Sequence, residues 1–401
     1  MSTETVNTFH DAETVLRNPD LAQSLYDEGA VIMADTLLVL HGEQHKTRLK
    51  QEMRVFRRNF LRYYESEVFP RTLAETLEPF EALGHADLME LGYLATLNLS
   101  ADFAGIDRME RNTEESSRLL KLVKVFAEGA TLVHSTRDKD VVRSEVRDAL
   151  KEFEGSFLKD SIGRRKGLIA KHRAGKISED DLPRDILTEL LSSDPAQQLP
   201  PEVLTREIAF FLQAGAHSTG NATSHAFHDL TEWAKAHPED GARYLPDPIF
   251  LQHCVHEALR LHPASPVSWR RPVCPVDLPD GRTATPDRQV EIDLWAANRD
   301  PEIFGADADV FNPHRKLPDG VNAFGLTFGT GFHSCLGRDL DGGAIPTEKS
   351  TPKTHRLGIV TLFVQALLQR GARPDPDQPP EPASHTARPN WGVYPILFGS
   401  K

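Results

Sequence analysis

The sequence predicts a mainly α fold with small β-sheets, an α+β arrangement. From about Asp11 to Asp240, apolar residues recur every three or four positions, with connections marked by Pro, Gly and Asp clusters. Beyond Pro263 the texture changes to short β-like runs broken by Pro, Asp and Gly, such as Val290 to Trp295. No linker and no internal repeat separates the two textures, so the simplest reading of the 401 residues is one domain.

Within the helical part, Arg48 to Phe80 is strongly charged and interrupted at Pro70, whereas Asp87 to Asp107 carries Leu, Met and Ala on most faces, as a buried helix does. Pro200-Pro201-Glu202 starts a helix, because proline's missing N–H costs nothing in the first turn. The pattern continues through Ile208, Phe211, Leu212 and Ala214 toward Trp233, which makes this the longest helix expected. A glycine-rich loop runs from Phe328 to Gly337. A polar stretch, Asp339 to His355, follows, and helical periodicity returns over Leu357 to Leu368.

A composition of 39% hydrophobic and 26% charged residues is that of a soluble globular protein. No stretch approaches the roughly 18 apolar residues of a membrane helix. The opening MSTETVNTFHDAETVLRNPD has neither a basic leader nor an apolar core, so the expected location is the cytoplasm, with no membrane contact. A net charge of -13 argues against a nucleic-acid surface as the main business. Cys254, Cys274 and Cys335 are too few for a disulfide framework, and each is expected as a thiol.

The most informative string is Phe328-Gly329-Thr330-Gly331-Phe332-His333-Ser334-Cys335-Leu336-Gly337. It resembles the haem-binding signature F-G-x-G-x-H-x-C-x-G of the cytochrome P450 family at all six fixed positions. The resemblance implies the cytochrome P450 fold, with Cys335 as the iron ligand of haem b. A thiolate pushes electron density onto haem iron, so such a centre needs one cysteine and no second protein ligand. Gly329 and Gly331 allow a tight loop, Gly337 leaves room beside the sulfur, and His333 is placed to reach a haem propionate. Cys254 and Cys274 lack this context and read as structural thiols.

Further motifs follow in the family's order. Glu257 and Arg260, three apart and therefore on one helix face, match E-x-x-R. Phe311-Asn312-Pro313-His314-Arg315 matches F-x-P-x-R, which implies a Glu257, Arg260 and Arg315 network bracing the loop. In Trp269-Arg270-Arg271-Pro272, Arg271 aligns best with the family's propionate-binding arginine, and Arg270 is a close rival. The segment His41 to Lys50 is similar to the start of a further propionate helix, offering His45 and, less well aligned, Arg48.

Ala214-Gly215-Ala216-His217-Ser218-Thr219 stands where the family carries A-G-x-[D/E]-T-[T/S]. Ala214 and Gly215 are expected beside the haem, with Gly215 loosening the helix into a groove for dioxygen. The family's acid and threonine become His217 and Ser218, with Thr219 as an alternative alcohol. Two other departures stand out: a shortened N-terminal part, and a polar insert around 341–356 where the family continues with L-A-R-x-E.

The function implied is that of a monooxygenase that hydroxylates, dealkylates or epoxidises a small organic substrate. Phe210 and Phe211 are compatible with a hydrophobic or aromatic ligand. The sequence contains no G-x-G-x-x-G between a strand and a helix, so electrons are expected from a separate ferredoxin with its reductase, or from a flavoprotein. Two alternatives remain: a peroxide-using or rearranging haem-thiolate enzyme, and a haem sensor or carrier without catalysis.

Overall fold

A computed structural model describes residues 3–56, 58–110 and 112–399. Strand β1 (Thr3–Val6) leads into helix α1 (Phe9–Arg17) and strand β2 (Leu21–Gln23). Thr8 caps α1 by accepting from Asp11 N–H, and Phe9, Ala12, Val15 and Leu16 form its buried stripe. Helix α2 spans Gly42–Glu52. The charged stretch after it is helical over Arg58–Tyr63, passes through a π turn at Tyr64–Val68 and continues as Phe69–Leu83. Pro70 lies in the first turn of that last piece, where it starts the helix rather than interrupting it.

Helices α3 (Leu88–Ala104), α4 (Thr113–Ala130) and α5 (Pro201–Ala236) form the centre of the helical core. The start of α5 at the Pro pair and its extent agree with the sequence pattern. Where α3 crosses α5, a Cβ on Gly92 would lie 3.4 Å from Gly220 Cα, so two glycines let the backbones approach. Thr96 on α3 locks the crossing by donating to Ala216 O at 2.9 Å. This contact sets the height of the middle of α5.

Helix α6 (Pro248–Leu261) packs Leu251, Val255 and Leu259 into a second core with Leu230 of α5. Strands β3 (Val267–Pro272) and β4 (Gln289–Asp293) follow. The four-stranded sheet runs β1-β4-β3-β2: β1 is parallel to β4, with Glu4 opposite Val290, and the other pairings are antiparallel. The pairing of β1 with β4 is not visible in the sequence, since β1 is four residues long and buries only Val6. His85–Asp87, Pro395–Leu397 and Arg373–Pro374 make a three-stranded sheet near the C-terminus.

The short helix α7 (Arg338–Asp341) ends at Gly342, and α8 (Ile359–Gln369) starts after Gly358. The polar insert lies between them and closes on itself. Ala344 N donates to Arg356 O at 2.9 Å, and Gln252 Nε2 lies 2.9–3.2 Å from the carbonyls of Gly342, Ala344, Arg356 and Leu357. Among the described residues, no helix is long and apolar enough to cross a membrane.

Candidate functional site

The glycine-rich loop wraps around Cys335. One 3-10 turn covers Gly331–His333, and Cys335 N donates to Phe328 O at 2.8 Å. Gly331 has φ 72°, and a Cβ there would lie 2.7 Å from Arg17 Cα. Only glycine therefore lets α1 rest on the loop. Gly329, at φ 61°, makes the neighbouring turn. Gly337 differs from both. Its φ is -80°, and a Cβ would make ordinary contact 3.8 Å from the sulfur. Its contribution is the backbone N–H, which with that of Arg338 bonds Cys335 and favours the thiolate. Against those bonds, burial and then the Asp341 carboxylate push the thiol up to about 11. Cys335 borders a cavity of about 100 Å³ lined by Ser218, Thr219, Ala222, Phe328 and Asp341, among others.

Behind the loop, Arg260 is fully buried and donates through Nε and Nη2 to the two oxygens of Glu257, each at 2.7 Å. Arg315 Nε donates to Glu257 Oε1 at 3.1 Å. Arg260 also donates to the carbonyls of Asn298 and Ala308 at 2.6 and 2.7 Å, while Arg315 donates to those of Asp307 and Val310 at 2.9 and 2.8 Å and pairs with the Asp307 carboxylate. Asn298 then carries the brace to the loop. It accepts from Leu326 N at 2.7 Å and donates to Thr327 Oγ1 and Arg260 O, both at 3.0 Å. Nothing in the sequence marks Asn298, because it lies in no recognisable motif.

Strand alternation decides between the two arginines. Along β3, Ser268, Arg270 and Pro272 point inward, while Arg271 faces solvent and pairs with Asp27. Arg270, the rival of the better-aligned Arg271, is 2% exposed and bonds Ser268 and Gln23 at 2.7 and 3.0 Å. Burial lowers its pKa to about 10. Burial, and then Arg270 with His45 and His41, pushes His333 down to about 3. His45 is buried, with its ring 4.6 Å from Phe332 and 4.7 Å from His333. Arg48 turns instead to the buried Glu207.

On the opposite wall, α5 is helical throughout Ala214 to Thr219. Gly215 does not open it: a Cβ there would lie 2.5 Å from Ser100 Oγ, so the glycine admits α3. Ser218 donates its hydroxyl back to Ala214 O at 2.6 Å, one turn earlier in the same helix. Thr219 donates to Asp341 Oδ1 at 3.0 Å, and burial pushes that carboxyl up to about 7. His217 points elsewhere, toward Tyr93 at 5.7 Å between rings and Arg388 at 3.5 Å. Burial, then Arg388 and His385, holds its pKa well below the ordinary histidine value, so it is a neutral imidazole rather than an acid. Phe210 and Phe211 belong to the helical core with Phe56 and Phe103.

A cytochrome P450 family profile matches residues 245–340, the stretch containing Glu257, Arg260, Arg270, Arg315 and Cys335. The structure of CalO2 superposes with a TM-score of 0.74 at 20% identity, covering 98% of this chain and 90% of that one. The chain has the cytochrome P450 fold, and residues 245–340 carry that family's profile. CYP109E1 from Bacillus megaterium, in complex with testosterone, shares the fold with a TM-score of 0.71 at 20% identity, over 99% of this chain and 93% of its own. Among curated relatives, cytochrome P450 monooxygenase 205 of Postia placenta is 23% identical over 84% of this chain and 72% of its own length. Cytochrome P450 monooxygenase pkfB of Emericella nidulans is 31% identical, but the match covers 42% of this chain and 37% of that protein. For pisatin demethylase of Fusarium vanettenii, 28% identical, the shares are 43% and 36%.

Similarity to cytochrome P450s implies a haem, and the residues of this chain fit one. Cys335 is a free thiol with two backbone N–H groups on its sulfur. Beside it, both ring nitrogens of His333 and one each of His41 and His45 are buried without a hydrogen-bond partner, next to the Arg270 guanidinium. Unsatisfied buried groups of this kind call for acceptor oxygens such as those of propionates. Asn298, Asp341 and Arg388 are the site residues that sequence motifs do not reveal.

Proposed function

We propose that this chain is a haem-thiolate monooxygenase that binds haem b through Cys335. It receives electrons from a separate ferredoxin with its reductase, or from a flavoprotein. It inserts one atom of dioxygen into a small hydrophobic or aromatic substrate, by hydroxylation, dealkylation or epoxidation. The supporting observation is the Cys335 thiol, set in a loop braced by Glu257, Arg260 and Arg315 and facing a cavity walled by Ser218 and Thr219. A thiolate-ligated haem, when bound, supplies reductive cleavage of dioxygen.

The chain's residues have separate tasks. The N–H groups of Gly337 and Arg338 would temper the charge of a thiolate bound to iron, and Gly329 shapes the turn. Arg270, charged and planar, and the neutral rings of His333 and His45 would hold the haem propionates. Ser218 Oγ holds a proton on the cavity side of α5 and passes it by rotating off Ala214 O. Thr219 Oγ1 and the Asp341 carboxyl form the acid–alcohol pair in this wall. With a pKa of about 7, Asp341 can give and regain a proton near neutrality.

The optical spectrum of the reduced protein with carbon monoxide tests this, beside Cys335→Ala. A strongly red-shifted Soret band in wild type, absent from the variant, is expected. An unshifted band, or no haem, overturns the proposal. The neutral, turned-away His217 favours one other reading, a peroxide-using or rearranging enzyme, which turnover with peroxide and no reductase would distinguish.

A further inference from the structure

Arg388 sits in the loop between Glu381–Pro382 and Trp391–Val393 and is 8% exposed. Its bonds go to neutral groups: Nη1 donates to Ala264 O at 3.3 Å, Nε to Thr386 Oγ1 at 3.4 Å, and Nη2 to Thr131 Oγ1 at 3.2 Å and His217 Nε2 at 3.5 Å. All lie at or beyond the long end of the hydrogen-bond range. Among the described residues no carboxylate pairs with it; the titratable groups acting on it are the phenols of Tyr93 and Tyr26. Arg270 likewise has no carboxylate partner, but other buried arginines are paired. Arg260 and Arg315 share Glu257, Arg165 has Asp107 and Asp185, and Arg48 has Glu207. A buried guanidinium without a counter-charge is costly unless an anion arrives to pair with it.

Its position says where that anion comes from. Ala264, which accepts from Arg388, and Asn390, two residues on, line the same cavity as Cys335 and Ser218. The loop is clamped to the segment after α4, with Ala387 N donating to His134 O at 2.8 Å and Thr136 N to His385 O at 3.1 Å. The guanidinium is therefore held at this wall. Haem propionates are also carboxylates, but the groups acting on His333 are Arg270, His45 and His41, whereas Arg388 reaches the oxygen-side helix at His217. Histidine at 217 matters too. An acid there would pair with Arg388 and occupy it.

We propose that Arg388, with Thr131 and His217 beside it, binds a carboxylate of the substrate, so that this protein acts on organic acids whose apolar part extends toward Cys335. The proposal rests on the monooxygenase reading above. Calorimetric titration of the holoprotein with arylalkanoic and alkanoic acids, each beside its primary amide, tests it in wild type, Arg388→Met and Arg388→Lys. Wild type is expected to prefer at least one acid over its amide by about tenfold or more. The preference should vanish in Arg388→Met and partly survive in Arg388→Lys, with haem content unchanged.

Equal binding of acids and amides by wild type overturns the proposal, as does a preference that survives in Arg388→Met. Haem loss in Arg388→Met with the acid preference intact assigns the guanidinium to a propionate and overturns it as well. If Arg388→Met does not fold, the wild-type ratio and its reduction in Arg388→Lys decide. Acid-selective binding by a protein without the thiolate spectrum supports the anion site and sinks the monooxygenase reading instead.

Discussion

Replacing Glu257 by glutamine keeps its volume but removes the carboxylate that pairs with Arg260 and, alongside Asp307, with Arg315. Arg260 is fully buried, so water cannot compensate it. Both 2.7 Å bonds from Arg260 and the 3.1 Å bond from Arg315 lose their ionic character. Breaking a buried pair from one side costs about 3–5 kcal/mol. With about 2.1 cal/mol/K of unfolding entropy per residue over 401 residues, the slope is about 0.8 kcal/mol/K, so Tm falls by about 4–6 K if the chain unfolds as a unit. Thermal and denaturant unfolding measure this, in a cycle with Arg260→Met. Removing both charges should cost less than the sum of the single changes by about 1–3 kcal/mol. Because Asn298 links Arg260 to Leu326 and Thr327, amide exchange at Leu326 should quicken in Glu257→Gln. A cost below about 1 kcal/mol, or strict additivity, would refute the view that Glu257 is the counter-charge holding the brace.

Arg270→Met should lose haem to a competing apoprotein at least about tenfold faster than wild type, whereas Arg271→Met should stay within about twofold, since Arg271 pairs with Asp27 at the surface; equal effects would reverse the assignment. Glu52 is fully buried with both carboxyl oxygens unpartnered, and burial, then Glu207, raises its pKa well above 4.5. An acid raised in the folded state contributes stability below its unfolded pKa and loses it as pH rises toward the folded one. Wild type should therefore weaken relative to Glu52→Gln by up to about 1.4 kcal/mol per pH unit above pH 4.5, and a flat difference in pH-dependent unfolding would count against this. Asp341→Asn should let the Cys335 thiol ionise at lower pH, read from the pH dependence of its alkylation in haem-free protein; an unmoved profile would show that Asp341 does not act on the sulfur.

What could be read along the chain is what the chemistry keeps local. Cys335 and its glycines sit within ten residues because a tight loop must bring N–H groups to one sulfur. Glu257 and Arg260 are visible because one helical turn separates them. Arg270 was within reach too: inward Ser268, Arg270 and Pro272 follow the period of a strand, but motif alignment preferred Arg271, which alternation turns outward. Gly215 misled for a related reason. Its motif position suggested a groove, while its structural role is contact with Ser100, on a helix that no local pattern pairs with it. Asn298 and Arg388 were hidden, because their partners come from distant elements and neither stands in a repeating pattern.

The departures from the family pattern are connected through space. On α5 the usual acid is His217, and beside it lies Arg388 with no counter-charge. A carboxylate at 217 would neutralise that guanidinium and commit both groups to each other, whereas a neutral imidazole accepts one long bond and leaves the charge available. An acid does remain in the cavity wall, on the other side. Asp341 stands where the family pattern has alanine, and its carboxyl accepts from Thr219, two residues beyond His217. The insert that follows changes little at this point, because Gln252 and His256 bind the carbonyls at its stem and return the chain beside Gly342, so that α8 resumes next to where α7 stopped. With the acid at Asp341 on α7 and a neutral imidazole at position 217, the carboxyl in this wall is engaged by Thr219, and Arg388 keeps no counter-charge among the described residues.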